Sequence, residues 1–127
     1  MKLAVQLYTL RKDYSNGEEF LKILEKVKEI GFDGVEFAGY AGLEPEVIKA
    51  KLDELGLVAV GCHMDLEDYE GDKLEESIKI GKTLGMEYMG IGGADHSTKE
   101  DVDRLVDVFS KANERGKDEG IKFYYHN

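Results

Sequence analysis

The chain has 127 residues, enough for one domain with a hydrophobic core. Its formal net charge of −10 argues against a nucleic-acid-binding surface, because phosphate binding depends on clustered lysine and arginine. The single cysteine, Cys62, excludes an intrachain disulfide and is typical of a reducing compartment, so we expect a cytoplasmic protein. No apolar run approaches the roughly 20 residues of a membrane span, and Met1 and Lys2 lead directly into strand-like sequence instead of a signal peptide.

The chain repeats one sequence pattern four times, each time around a glycine: Gly31, Gly56, Gly85 and Gly120. Each follows a stretch with apolar residues at helical spacing, and each is followed at once by a short strand-like run. Glycine ends helices because it adopts the left-handed conformation without a Cβ penalty. The pattern predicts that each helix ends at its glycine and is followed directly by a strand of a parallel sheet.

The predicted elements alternate from one end of the chain to the other. Predicted strands cover residues 2–8, 34–37, 57–64, 87–91 and 121–127. Predicted helices cover residues 18–30, 45–55 and 72–84, and a capping box at 97–100 opens a fourth. Pro45 suits a first helical turn. We expect the second helix to bury Val47, Ile48, Leu52 and Leu55, and the fourth to bury Val102, Leu105, Val106, Phe109 and Ala112.

Side chains alternate in character along the predicted strands, with a period of two residues. We expect the large apolar set to face the helices: Leu3, Val5, Leu7, Val35, Phe37, Val58, Val60, Met89, Ile91, Phe123 and Tyr125. The other set is small at the start of each strand and polar near its end. One helix-covered face and one confined face are typical of a closed barrel, whereas an open doubly wound sheet is apolar on both.

Four polar side chains stand at the carboxyl ends of strands on the expected inner face: Gln6, Glu36, His63 and His126. In parallel barrels this end of the strands carries the active site. Cys62 falls on the opposite face, where we expect a small buried hydrophobe and not a nucleophile.

Three segments resemble the sugar phosphate isomerase/epimerase family, whose members are xylose isomerase-like TIM barrels. They are residues 2–11 (KLAVQLYTLR), residues 30–37 (IGFDGVEF) and residues 125–127 (YHN). A TIM barrel has eight βα units in about 250 residues, whereas this sequence supplies four units and a fifth strand. The resemblance therefore predicts a single half-barrel domain over residues 1–127, a (βα)4-β5 parallel half corresponding to the N-terminal half of the family's barrel.

The resemblance also implies roles for individual residues. It makes Glu36 and His63 catalytic, the first as a base acting beside a substrate carbonyl, although a solvated strand-end acid and a structural histidine are the alternatives. It makes Gln6, Tyr8 and His96 substrate-binding. Barrel filling explains Gln6 and Tyr8 equally well, and a helix-entry loop explains His96.

A divalent metal, Mn, Zn or Mg, is implied too, with His126 as a ligand in place of the acid that many relatives carry there. A frayed terminal residue is the alternative reading of His126. Family members take such ligands from strands five to eight, so the metal site is expected to be incomplete in these residues.

We therefore expect a half-barrel that acts on a small sugar or sugar phosphate once a second half completes it. Two unpaired sheet edges and an uncovered inner face predict self-association, most simply as a homodimer. The first alternative is a catalytically inert, self-assembling half-barrel. The second is a small doubly wound binding domain of flavodoxin-like strand order, against which the alternation of side chains argues.

Overall fold

A computed structural model describes residues 1–126 of the chain. The strands are β1 (Ala4–Gln6), β2 (Gly34–Phe37), β3 (Val58–Met64), β4 (Tyr88–Ile91) and β5 (Lys122–Tyr125). The helices are α1 (Gly17–Ile30), α2 (Pro45–Leu55), α3 (Asp72–Leu84) and α4 (Lys99–Gly116). Short 3-10 turns cover Leu7–Leu10, Leu66–Tyr69 and Lys117–Glu119. The predicted alternation of strands and helices is confirmed; Asn127, placed in the predicted fifth strand, lies outside the described residues.

All five strands are parallel and lie in the order β1-β2-β3-β4-β5. Consecutive order means that every helix crosses over in the same direction and packs on one face of the sheet. A flavodoxin-like sheet reverses its strand order at a switch point and is covered on both faces, so that alternative is wrong. The result is an α/β half-barrel with its helices outside.

Glycines end the first three helices as predicted. Gly31, Gly56 and Gly85 have φ angles of 108°, 62° and 77°, in the left-handed region that side chains with a Cβ seldom adopt. The N–H of each donates to carbonyls of the preceding turn, which satisfies groups that would otherwise be orphaned at a helix end. A strand begins two or three residues after each of these glycines.

The central strand β3 departs from the predicted alternation. Val35 pairs with Ala59 but the next residue, Glu36, pairs with Gly61, so Val60 is an extra residue in β3. Ala59 and Cys62 consequently face the helices and are buried, whereas Val58 and Val60 are 55% and 39% exposed. The expectation that these two valines face the helices is wrong.

On β2 and β4 the predicted alternation holds, but Leu3 and Tyr125 are 49% and 39% exposed, so the expectation that the helices cover these two residues is wrong. An ideal Cβ on Gly34 would lie 3.0 Å from Val60 Cγ1 and 3.5 Å from the Ala4 Cβ, which places all three on the inner face. The large residues of the neighbouring strands, Val35 and Ile91 among them, are fully buried beneath the helices as predicted. The extra residue at Val60 reverses the alternation of side chains in the rest of β3, and this places His63 on the inner face beside Glu36.

Four further expectations about local structure are wrong. Val47 on α2 is 45% exposed, and Val102 and Val106 on α4 are 44% and 61% exposed. The two α4 residues lie on a flank that no other helix covers within residues 1–126. The α4 capping box begins one residue later than predicted, with Thr98 as the cap and Asp101 as its partner. Predicted strand 2–8 shortens to three residues, because Leu7 turns into the 3-10 segment.

Candidate functional site

A cleft of about 570 Å³ opens at the carboxyl ends of the strands. Its walls come from the segments that follow all five strands. It is lined by Gln6, Tyr8, Ala38, Gly39, His63, Met64, Asp65, Gly92, Gly93 and His126. The volume falls in the range of about 300–1,000 Å³ typical of small-molecule pockets, and the location is the one that parallel barrels use for chemistry.

A hydrogen-bonded cluster joins the first three strands at this end. His63 Nε2 lies 3.0 Å from Glu36 Oε1, and Gln6 Nε2 lies 2.9 Å from His63 Nδ1 and 3.2 Å from the same Glu36 oxygen. A carboxylate only accepts, so His63 Nε2 carries the proton and donates it, and Nδ1 accepts from the amide of Gln6. The pairing holds the His63 ring in one orientation between Gln6 and Glu36.

Tyr124 on β5 belongs to the cluster, although the sequence analysis did not select it as a site residue. Its hydroxyl donates to Glu36 Oε1 at 3.4 Å, and its ring centroid lies 5.5 Å from that of His63. Burial, and secondarily the nearby Glu36 carboxylate, raise the pKa of the Tyr124 phenol. A signal was present in the sequence: Tyr124 stands on the inner face, and the adjacent strand offers a glycine, Gly90, beside it.

The two predicted catalytic residues occupy different surroundings. The His63 side chain is 12% exposed and lines the cleft, whereas Glu36 does not line it and is 25% exposed on the open inner face of the sheet. All three hydrogen bonds to Glu36 converge on Oε1. Within residues 1–126, Oε2 has no hydrogen-bond partner. The carboxylate is therefore fixed through one oxygen while the other remains free for a ligand.

The remaining predicted site residues divide into two groups. Tyr8 and His126 line the cleft; the His126 ring lies 5.3 Å from that of His63, and the guanidinium of Arg11 lies 4.2 Å over the Tyr8 ring. His96 does not join them. It is exposed on the loop after β4, where its Nδ1 lies 3.0 Å from the carbonyl of Ala94. The structure therefore brings Gln6, Tyr8, Glu36, His63 and His126 together and leaves His96 apart.

The donor set does not fit a complete metal site. Within the described part of the chain, no three side chains of the His, Cys, Asp or Glu type converge as metal ligands would. Both nitrogens of His63 already have partners in Gln6 and Glu36, which leaves His126 as the imidazole without a partner in the cluster. A structural or catalytic zinc takes at least three protein ligands, so these residues alone do not hold one.

Cys62 lies behind the cleft on the helix-covered face. It is fully buried, its Sγ is 3.7 Å from the Tyr69 hydroxyl, and burial raises the pKa of its thiol. A thiol that resists deprotonation is a poor nucleophile, in agreement with the predicted structural role. The Tyr69 hydroxyl donates to the carbonyl of Gly90 at 2.8 Å, and the nearby Tyr40 hydroxyl is buried with no hydrogen-bond partner among residues 1–126.

Solved structures share this fold at low sequence identity. One is an AP endonuclease, family 2, from Brucella melitensis, with a TM-score of 0.74 and 20% identity over 98% of this chain and 54% of that one. Another is a sugar phosphate isomerase/epimerase from Parabacteroides distasonis, with a TM-score of 0.73 and 19% identity over 99% of this chain and 51% of that one. A third, the IolI protein with a bound zinc atom, has a TM-score of 0.68 and 17% identity over 98% of this chain and 51% of that one.

The sequence matches no protein-family model and no curated protein. The structural likeness shows the fold: an α/β half-barrel that matches about half of a TIM barrel. The chain spans about half the length of these solved structures. Within residues 1–126, no helix combines the length and the apolar character that a membrane crossing requires.

Proposed function

We propose that this half-barrel supplies one side of an acid–base site for isomerising or epimerising a small sugar or sugar phosphate. The observation that supports it is the Glu36 carboxylate, anchored through Oε1 by His63, Gln6 and Tyr124 with Oε2 left free. A base of this kind must be held in one orientation while keeping a lone pair for the substrate. The cleft beside it has a volume suited to a ligand of this size.

In the proposed reaction, Glu36 Oε2 takes the proton from the carbon next to a substrate carbonyl. The electron pair of that C–H bond moves to the carbonyl oxygen and gives an enediolate. In an isomerisation, Glu36 then returns the proton to the former carbonyl carbon, while the hydroxyl proton on the other carbon moves to the former carbonyl oxygen and the new C=O bond forms there. An epimerisation instead needs a proton delivered to the opposite face of the original carbon, from an acid outside these residues. His63 holds Glu36 in position, and the Tyr8 hydroxyl and Gln6 amide in the cleft are donors for substrate hydroxyls.

Full activity is proposed to require a covering half. Glu36 opens onto the uncovered inner face, where water competes for its free oxygen and weakens every electrostatic contact. The donors that stabilise the enediolate, and any metal that does so, would come from that half. We place the protein in the cytoplasm, since its single cysteine is a buried free thiol.

The partial reaction can be tested on the chain as it is. Aldoses, ketoses and their phosphates are titrated into isotope-labelled protein, and shifts of backbone amides in solution NMR report binding. Exchange of the substrate's C–H proton with D2O reports abstraction without needing turnover. We expect shifts confined to the cleft residues, and slow exchange that Glu36→Gln abolishes while binding persists.

His63→Gln and His96→Gln form a matched pair of variants. His63→Gln should slow the proton exchange by about tenfold, equivalent to about 1.4 kcal/mol, because it removes an anchor of the Glu36 carboxylate. His96→Gln should leave it unchanged, since that ring lies outside the cleft. No binding by any sugar, or exchange that survives Glu36→Gln, would overturn the proposal.

The second candidate is an inert half-barrel whose role is assembly. The incomplete metal donor set and the exposed inner face favour it. It predicts association without sugar binding or proton exchange, so the same titration separates the two candidates.

A further inference from the structure

One flank of α4 is apolar and exposed. Val102 and Val106 are 44% and 61% exposed, and the partly buried Leu105 and Phe109 lie beside them at helical spacing. Arg115 marks the opposite flank, where its guanidinium donates to Glu75 of α3 at 2.7 and 2.9 Å. We call the exposed set the α4 flank, and it consists of Val102, Leu105, Val106 and Phe109.

The other end of the half-barrel shows a similar surface on α1. Glu25 and Lys28 mark the side that faces α2, through an ion pair with Lys51 at 3.0 Å and a hydrogen bond from Lys28 Nζ to the Gly56 carbonyl. Helical spacing places Ile23 and Ile30 on the opposite side. Ile30 is 72% exposed and Ile23 is partly buried. We call this pair the α1 flank.

A hydrogen-bonded side chain occupies part of the free edge of β5. Lys122 N–H and His126 N–H donate to carbonyls beside or on β4, so the residues that alternate with them, Phe123 and Tyr125, direct their backbone groups to the free edge. Asn113 of α4 satisfies both groups of Phe123: its Nδ2 donates to the carbonyl at 3.0 Å, and the N–H donates to Oδ1 at 2.9 Å. An added strand would have to displace this amide.

We propose that a second copy of this chain docks through its helices, with the α4 flank of each copy against the α1 flank of the other. A two-fold axis then creates two equal contacts and covers the inner face, where Val58, Val60 and Tyr88 are exposed. Both flanks are on the same chain, at its opposite ends, as such a closed pair requires. The interface is independent of the sugar chemistry proposed above.

Several observations fit a second copy better than an unrelated partner. The solved structures with this fold are about twice as long, so the space to be covered has the size of one more half-barrel. A stable interface buries roughly 800 Å² per partner, about a tenth of the chain's surface of 7587 Å², and two helix flanks with the inner face can supply it. Because Asn113 occupies the β5 edge at Phe123, we expect the copies to meet through side chains and not through strand addition.

Sedimentation velocity and light scattering over a concentration series test the proposal. We expect a dimer whose Kd rises by about 30-fold or more in Val106→Glu, the size of effect that a charge at the centre of an interface produces. Val47→Glu is the control, since Val47 is also an exposed helix valine, 45% exposed against 61% for Val106, but lies on α2, which packs between α1 and α3. A wild-type monomer at high concentration, or equal effects of the two variants, would overturn the proposal.

Two further measurements distinguish a contact through the helix flanks from pairing through the β5 edge. Copies carrying Ile23→Cys and copies carrying Val106→Cys, mixed with a short bismaleimide, should crosslink to each other, because the native Cys62 is buried. No crosslink in a confirmed dimer would overturn the helix contact. Asn113→Ala should change the Kd by less than about threefold on the helical route. Markedly tighter association of that variant would show instead that the copies pair through the β5 edge.

Discussion

The ring of Tyr124 lies directly against the backbone of Gly90 on the adjacent strand. An ideal Cβ at Gly90 would be 2.6 Å from two carbons of that ring, closer than real atoms approach. The absence of a side chain at Gly90 therefore allows Tyr124 to reach across the inner face and donate to Glu36. We expect Gly90→Ala to displace the ring, break that hydrogen bond and destabilise the fold by about 1–3 kcal/mol, the usual cost of overpacking.

Chemical denaturation of the wild type, Gly90→Ala, Tyr124→Ala and the double variant checks this expectation. In a Tyr124→Ala background the added methyl group meets no ring, so Gly90→Ala should cost clearly less there than in the wild type. Equal costs in the two backgrounds would mean that the strain arises in the backbone and not at Tyr124.

Two buried tyrosines near Cys62 should respond oppositely to loss of the hydroxyl. Tyr69→Phe removes the donor to the Gly90 carbonyl and should cost about 1–3 kcal/mol, since a buried acceptor is left unpaired. Tyr40→Phe removes a buried hydroxyl that has no partner within residues 1–126 and should be neutral or stabilising by up to about 1 kcal/mol. The free energies of unfolding, compared in one denaturant series, decide between them; a larger loss for Tyr40→Phe would contradict the assignment.

Alkaline conditions should unfold the protein steeply. Burial raises the pKa values of Tyr40, Tyr69 and Tyr124 above that of a free phenol. The folded chain therefore holds these protons more tightly than the unfolded chain, whose phenols ionise near pH 10. Stability from this source is complete below about pH 10 and is lost as the pH rises toward the folded values.

The measurement is absorbance at 295 nm beside circular dichroism in one pH titration. The three phenolates should form only as the fold is lost. Their ionisation in a chain that is still folded near pH 10 would contradict the burial that the structure shows.

Gly85, which ends α3, allows a test of whether the helices end because glycine adopts the left-handed conformation. Gly85 has φ of 77° and its N–H donates to two carbonyls of the last turn. Gly85→Ala should cost roughly 1–2 kcal/mol, because a Cβ is strained in the left-handed region. Gly85→Asn should cost less, since asparagine tolerates that conformation. Thermal unfolding of the two variants measures the difference, and equal losses would mean that the Cβ meets an obstacle other than its own backbone.

Sequence reasoning succeeded where the determining interactions are local. The bounds of β2, α2 and α3 agree with the structure, because Pro45 and the stop glycines Gly56 and Gly85 act within a few residues of themselves. The inner position of Glu36 was also predictable, since alternation along a strand is a property of its own backbone. The inner position of His63 was predicted too, but in the structure it depends on the bulge at Val60.

The rest depended on strands that are distant in sequence. The bulge at Val60 exists because β3 must match β2 on one side and β4 on the other, and neither partner can be read from β3 itself. The exposure of Val102 and Val106 depends on which flank of α4 has a neighbour. The same limit applies to Tyr124, which meets Glu36 across 88 residues of chain.

By itself, the sequence determined the parallel βα order and which polar side chains stand at the strand ends, since hydrophobic period and glycine stops act through neighbouring residues. Only the tertiary structure decided that Gln6, Glu36, His63 and Tyr124 share one hydrogen-bonded cluster while His96 stays outside it. Hydrogen bonds between side chains require atoms within about 3 Å. That proximity is set by the register and curl of the whole sheet, to which every strand contributes.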